Sequence, residues 1–155
     1  MASTTFSGPV TSTNGFIGNL VGNVTGNIAG TGRVTHATTA AINATATATA
    51  AEVATGYITV TSATAVVITL PTGTLLGAAL GAAKGTVFDL YIDNTASTSS
   101  GAVTVAVATN GILSSAAADT PGSFGDLTIP VGATGLARFT IMFSSATAYV
   151  FTRTA

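Results

Sequence analysis

Residues 18–30 read GNLVGNVTGNIAG, a four-residue unit of Gly, Asn, an apolar residue and a variable one. In an extended strand alternate side chains face opposite sides. On that spacing one face of residues 16–34 carries Phe16, Gly18, Leu20, Gly22, Val24, Gly26, Ile28, Gly30, Gly32 and Val34. The other carries Ile17, Asn19, Val21, Asn23, Thr25, Asn27, Ala29, Thr31 and Arg33. The first face alternates large apolar side chains with glycines, and the second is a hydrogen-bonding face on which Asn recurs at every fourth position. Glycine weakens an isolated strand through backbone entropy and lost packing. The pattern therefore suits chains whose backbones approach one another closely. Several copies of this arm wrapped about a common axis satisfy it, with the large residues toward the axis and glycines relieving the crowding. A closed homo-oligomer supplies such copies by symmetry. A single-chain solenoid needs several stacked coils, and a four-residue unit is too short to form one.

Three compositional zones follow one another. Residues 1–35 form the Gly/Asn/Thr-rich arm, and residues 36–52, HATTAAINATATATAAE, are mostly Ala and Thr. Strict Ala-Thr alternation favours extended backbone, because Thr is β-branched, so this zone is expected to be a linker or an edge strand. From 53 to 155 the chain reads as short β segments separated by Gly, Asn, Ser and Pro. The segments are 56–60, 65–71, 85–93, 101–111, 123–132, 136–143 and 147–154. In the third, Val87, Asp89, Tyr91 and Asp93 alternate with Phe88, Leu90 and Ile92; in the sixth, Ala137, Phe139, Ile141 and Phe143 share one side. Asn110-Gly111 is a hairpin-turn signal. Residues 74–83 are the one helix candidate. Together these predict an all-β chain: an extended arm followed by an antiparallel β-sandwich or jelly-roll-like domain.

Charge narrows the function. Charged residues make up 6% of the chain and the net charge is −1, against about 25% charged in an ordinary soluble domain. The four basic residues are scattered and give no cationic footprint for nucleic acid. No apolar stretch reaches the roughly 20 residues of a membrane span, and MASTTFSGPV lacks the pattern of a secretory signal. A weakly charged surface of Thr, Ser, Ala and Gly suits a permanently assembled structure.

Catalytic motifs are absent. Without cysteine there is no thiol nucleophile or Cys-based metal site. His36, the only histidine, lies in Thr/Ala sequence and is expected at the surface or a boundary, and no G-x-S-x-G elbow accompanies it. GTGRV (30–34) and GAALGAAKG (77–85) lack dinucleotide and phosphate-loop spacing. Asp89 and Asp93, with Asn94 adjacent, and Asp119 and Asp126 about a Pro-Gly loop are the acidic candidates for calcium. Calcium needs six to eight oxygens, mostly converging from a loop, and neither pair has EF-hand spacing, so solvated or turn-capping aspartates are the expectation. No enzyme activity, cofactor or metal is expected. Asn23-Val24-Thr25 and Asn43-Ala44-Thr45 match the glycosylation sequon and carry little weight without a signal sequence.

FSGPVTSTNGFIGN (6–19), the Gly-Asn-Val-Thr-Gly-Asn repeats, ITLPTG (68–73) and GTVFDLYID (85–93) together resemble the capsid decoration (cement or head-fibre) proteins of tailed bacteriophages. The resemblance implies a homotrimer on the outer capsid surface of the virion, clamping neighbouring major capsid subunits, with no catalytic residues. Trimerisation and capsid contact are then expected from residues 6–34, above all Phe6, Phe16, Leu20, Gly22, Val24, Gly26 and Ile28. The competing expectation is a tail-fibre or host-recognition module that holds glycans, with Tyr57, Tyr91, Tyr149, Asp119 and Asp126 as its candidates.

Overall fold

Alternation of apolar and polar side chains becomes two β-sheets in the computed structural model, which describes residue 36, residues 38–113 and residues 127–154. In chain order the strands are β1 (Ala40–Ala41), β2 (Ala46–Thr47), β3 (Tyr57–Thr59), β4 (Val66–Leu70), β5 (Val87–Asp93), β6 (Val103–Val107), β7 (Gly111–Leu113), β8 (Thr128–Ile129), β9 (Leu136–Ser145) and β10 (Ala148–Arg153). Helix α1 (Ala50–Ala54) lies between β2 and β3, and α2 (Gly73–Leu80) between β4 and β5. One sheet has the order β1-β3-β5-β9-β10-β7 and the other β2-β4-β6-β8.

The expected antiparallel arrangement is not what forms. Five of the eight strand pairings among the described residues are parallel. The chain crosses from the six-stranded to the four-stranded sheet and back, so the next strand in either sheet is a full circuit later and runs the same way. Three such circuits stack β1, β3 and β5 in one sheet and β2, β4 and β6 in the other. Parallel strands need a long crossover, and α1 and α2 occupy the return legs. Antiparallel pairing enters only at the far side, where β8 joins β6, β9 joins β5 and β10 folds back on β9. Period-two alternation specifies which face a residue occupies and says nothing about strand direction, which is why the segments were legible and their pairing was not. Asn110 does adopt the left-handed backbone (φ 62°) of a turn residue. The turn hands the chain from β6 to β7 in the other sheet, and no hairpin forms there.

The Ala/Thr tract also does more than link. It supplies the edge strand of each sheet, β1 and β2, and then α1. This helix was not expected. It is closed by a capping box: Thr49 Oγ1 accepts from the Glu52 amide at 3.2 Å, and the Glu52 carboxylate accepts from the Thr49 amide at 2.7 Å, satisfying amides that a helix start leaves open. Helix α2, expected over 74–83, runs from Gly73 to Leu80 with Thr72 as its cap and Gly81 as its left-handed end. A Cβ at Gly77 would overlap the Ala146 carbonyl, and one at Gly73 the Thr147 carbonyl. These glycines let the tip of the β9–β10 hairpin lie directly on the helix.

Buried side chains of both sheets form one hydrophobic cluster. Val66, Ile68, Leu70, Val103, Val105 and Ile129 come from the four-stranded sheet; Ile58, Leu90, Ile92, Ala137, Phe139, Ile141, Phe143, Tyr149 and Phe151 come from the other. The Phe139 and Phe151 rings stack at 4.8 Å. Asn94, fully buried at the end of β5, donates to the carbonyls of Gly101, Ile129 and Pro130 at 3.0, 3.2 and 2.9 Å. It thereby ties the β5–β6 crossing to the end of β8.

Candidate functional site

Opposite the core, the strand register arranges the outer face of the six-stranded sheet in rows. Tyr57, Tyr91 and Arg138 lie side by side on β3, β5 and β9; Asp89, Thr140 and Thr152 on β5, β9 and β10; Val87, Met142 and Val150 on the same three strands. Thr59, Asp93 and Leu136 make a further row. This face holds Asp89, Asp93 and Arg138, half of the six charged side chains among the described residues.

Its polar groups are bonded to one another. Arg138 donates to Asp89 Oδ2 at 2.6 Å and Thr140 to Asp89 Oδ1 at 2.9 Å. The Arg138 bond, followed by that of Thr140, holds the Asp89 carboxyl below the usual carboxylate range. Thr95 donates to Asp93 Oδ1 through its hydroxyl at 2.6 Å and its amide at 2.9 Å, and the Tyr57 hydroxyl donates to Asp93 Oδ2 at 2.6 Å. Those bonds lower the Asp93 pKa, and the same Tyr57–Asp93 bond raises that of the Tyr57 phenol. The Arg138 guanidinium lies 6.0 Å from the Tyr91 ring centroid, at the limit of cation–π range.

His36 belongs to this face. Its ring lies 6.1 Å from that of Tyr57 and 5.9 Å, edge-on, from that of Tyr91. Its Nδ1 is 2.8 Å from the Thr55 carbonyl oxygen. Gly56 makes room for it: a Cβ there would overlap the imidazole, and the backbone is left-handed (φ 75°). The half-buried His36 thus sits at a boundary, as expected, but held in place by aromatic rings rather than lying free in Thr/Ala sequence.

Apolar side chains frame the polar rows. Val87 is 55% exposed, Leu136 51% and Met142 50%, three of the five large hydrophobic residues that stand exposed among the described residues. The arrangement offers rings, hydroxyls, one ion pair and apolar margins on a sheet face. Among the described residues no group of three or more His, Cys, Asp or Glu could hold a metal ion, and no helix is long and apolar enough to cross a membrane.

Of the residues singled out by sequence, the structure joins Tyr57 to Tyr91 and places Asp89 and Asp93 on their face. It separates Tyr149, which is buried in the core with its hydroxyl donating to the Pro71 carbonyl at 2.9 Å. Asn94 points inward and takes no part, and Asn43 Oδ1 accepts from the Thr61 amide at 2.7 Å. Phe6, Phe16, Leu20, Gly22, Val24, Gly26, Ile28, Asn23, Asp119 and Asp126 lie outside the described residues. Arg138 and Thr140 were not anticipated as partners of Asp89. The alternation of 136–143 does put them opposite Phe139 and Ile141, but nothing local announces a bond across 49 positions.

Comparison with protein-family models, with curated proteins and with solved structures finds no match for this chain.

Proposed function

We propose that the chain is a structural virion protein: a homotrimeric decoration or cement protein on the outer surface of a phage capsid, stabilising the shell by bridging major capsid subunits. Its two sheets would pack as a β-sandwich behind a trimerising arm. The feature that carries this reading is the period-two pattern of residues 16–34, wasteful in a lone chain and sensible in chains that intertwine. The resemblance of that arm to decoration proteins and the 6% charged fraction support it. The mechanism is mechanical. Three copies held together bind several capsid subunits at once, so weak individual contacts gain effective concentration. Sedimentation of the full chain at micromolar concentration tests it: a trimer is expected, and Gly22→Val or Gly26→Val should break assembly while leaving the β-sheet circular dichroism intact. A wild-type monomer sinks the trimer, and electron microscopy that places the protein on the tail sinks the capsid assignment.

A second reading, a tail-fibre or host-recognition module that binds glycans, is favoured by one observation. Tyr57 and Tyr91 stand side by side beside Asp93 and Arg138 on the outer sheet face. A glycan array distinguishes the two readings.

A further inference from the structure

We infer that Asn110 is a site of spontaneous covalent modification, deamidation through a succinimide, and that the folded domain holds the reaction shut until the turn between β6 and β7 opens. The inference is independent of the oligomeric reading above.

The chemistry is local. Glycine has no side chain to shield its amide nitrogen, so an Asn-Gly pair sets a carboxamide carbon beside an open nucleophile. The Gly111 amide nitrogen gives its proton to a solvent base and bonds to Asn110 Cγ; the carboxamide nitrogen takes up a proton and leaves as ammonia. Water then adds across one of the two ring C–N bonds. Breaking the new bond gives aspartate, and breaking the original peptide bond gives isoaspartate. Nothing is oxidised or reduced, and water is the only co-reactant. Asn110 is exposed, so solvent reaches the carboxamide. Asparagine tolerates the left-handed φ of 62° at this position, which accounts for a labile residue in the turn.

The fold opposes the first step at three points. The Gly111 N–H, which must lose its proton, donates to the Ala108 carbonyl at 3.0 Å. The Asn110 carbonyl accepts from the Tyr149 amide at 3.0 Å, and the Thr109 carbonyl from the Gly73 amide at 3.0 Å. Both peptide groups flanking Asn110 are thus held, one by β10 and one by the start of α2. The Tyr149 ring covers Gly111 so closely that a Cβ there would overlap its hydroxyl and ring. Attack on Cγ must release the Ala108 bond and turn the Asn110–Gly111 peptide toward the side chain, which requires local opening. The change is then one-way. Isoaspartate adds a negative charge and one extra backbone carbon immediately before β7, whose Gly111 pairs with Tyr149. A turn that opens and reacts cannot close in its former register.

The test uses the full chain, incubated at mildly alkaline pH in buffer and in guanidinium chloride that unfolds it. Peptide mapping by tandem mass spectrometry follows Asn110. Cleavage at Arg33 and Lys84 separates it from Asn14-Gly15, the other Asn-Gly pair, which lies outside the described residues. Conversion at Asn110 should be slower in the folded chain on the order of tenfold or more. Gly73→Ala, whose Cβ would overlap the Asn110 and Thr147 carbonyls, should speed conversion in buffer, with circular dichroism checking that the variant is folded. The wild-type comparison requires no variant to fold. Equal rates in the folded and unfolded wild-type chain overturn the gate, and an unfolded chain that does not convert at Asn110 overturns the site. A folded Gly73→Ala protein that converts as slowly as the wild type overturns the assignment of the gate to these bonds.

Discussion

The two sheets share a core and differ on their outer sides. The four-stranded sheet shows solvent Val67, Thr69, Thr104, Ala106 and Thr128, all short. The six-stranded sheet shows Tyr57, Tyr91, Asp89, Asp93 and Arg138, framed by Val87, Leu136 and Met142. On the inner sides the contrast is one of size: aliphatic residues on the smaller sheet, and Phe139, Phe143, Tyr149 and Phe151 on the larger. Among the described residues every Phe and Tyr, and four of the six charged side chains, lie on the strands of the larger sheet, which separates two tasks. The smaller sheet completes the core, and the larger one both anchors the core and carries most of the charged and aromatic side chains among the described residues.

That contrast can be broken most severely from within. Phe139→Ala, which removes the ring stacked on Phe151, should cost about 3–5 kcal/mol in urea unfolding, whereas Ile68→Val on the smaller sheet should cost about 0.5–1.5 kcal/mol. A loss below about 1 kcal/mol for Phe139→Ala would show that the stacked Phe139–Phe151 pair does not anchor the core. Next is the seat of the β9–β10 hairpin tip. Gly77→Val drives a side chain into the Ala146 carbonyl and should destabilise by about 1–3 kcal/mol, with hydrogen exchange rising first in α2 and residues 144–149.

Tyr149 tests the buried polar link between the larger sheet and the segment before α2. Burial pushes its phenol up to about 12. A folded pKa above the unfolded value near 10 means that the fold favours the neutral phenol. Its contribution is complete below about pH 10 and is lost as pH rises toward 12. Tyr149→Phe leaves the Pro71 carbonyl without this donor and should cost about 1–3 kcal/mol at neutral pH, while flattening the alkaline decline. A decline as steep as that of the wild type assigns it to another group.

Acid acts on the outer side, with a smaller effect. The Asp89 and Asp93 carboxyls are held below their ordinary range by Arg138 and by Thr95 and Tyr57. Their contribution is present above the unfolded value near 4 and lost as pH falls through the lower folded values. Both are half-buried and open to solvent, so the loss should be modest and screened by salt. Asp89→Asn should reduce the slope of stability against pH below about 4, and thermal melts across pH 2–6 measure it. A matching change on the other sheet, Thr104→Ser, should stay within about 0.5 kcal/mol at every pH.

Much of this was written in local pattern. The alternation in 85–93 and 136–143 sorted core from surface residue by residue, and Leu90, Ile92, Phe139, Ile141 and Phe143 are buried as that period requires. Thr72 and Gly81 bound a helix within two or three residues of the expected 74–83. The Thr49–Glu52 capping box was equally present in the sequence, but it lay inside Ala-Thr repetition that favours extended backbone, and a five-residue helix has no periodicity to reveal it.

Which face each strand residue occupies is an alternation of side chains along one strand, so the sequence by itself determined it, as it did the scarcity of charge. Direction, neighbour and sheet depend on residues tens of positions apart. Only the tertiary structure decided that the strands circulate between two sheets, that Asn110-Gly111 passes the chain across the core, and that Tyr149 is buried while Tyr57 and Tyr91 meet on the surface beside His36, Asp93 and Arg138. Those outcomes follow from register, which aligns side chains through backbone hydrogen bonds between strands and leaves no local trace in either one.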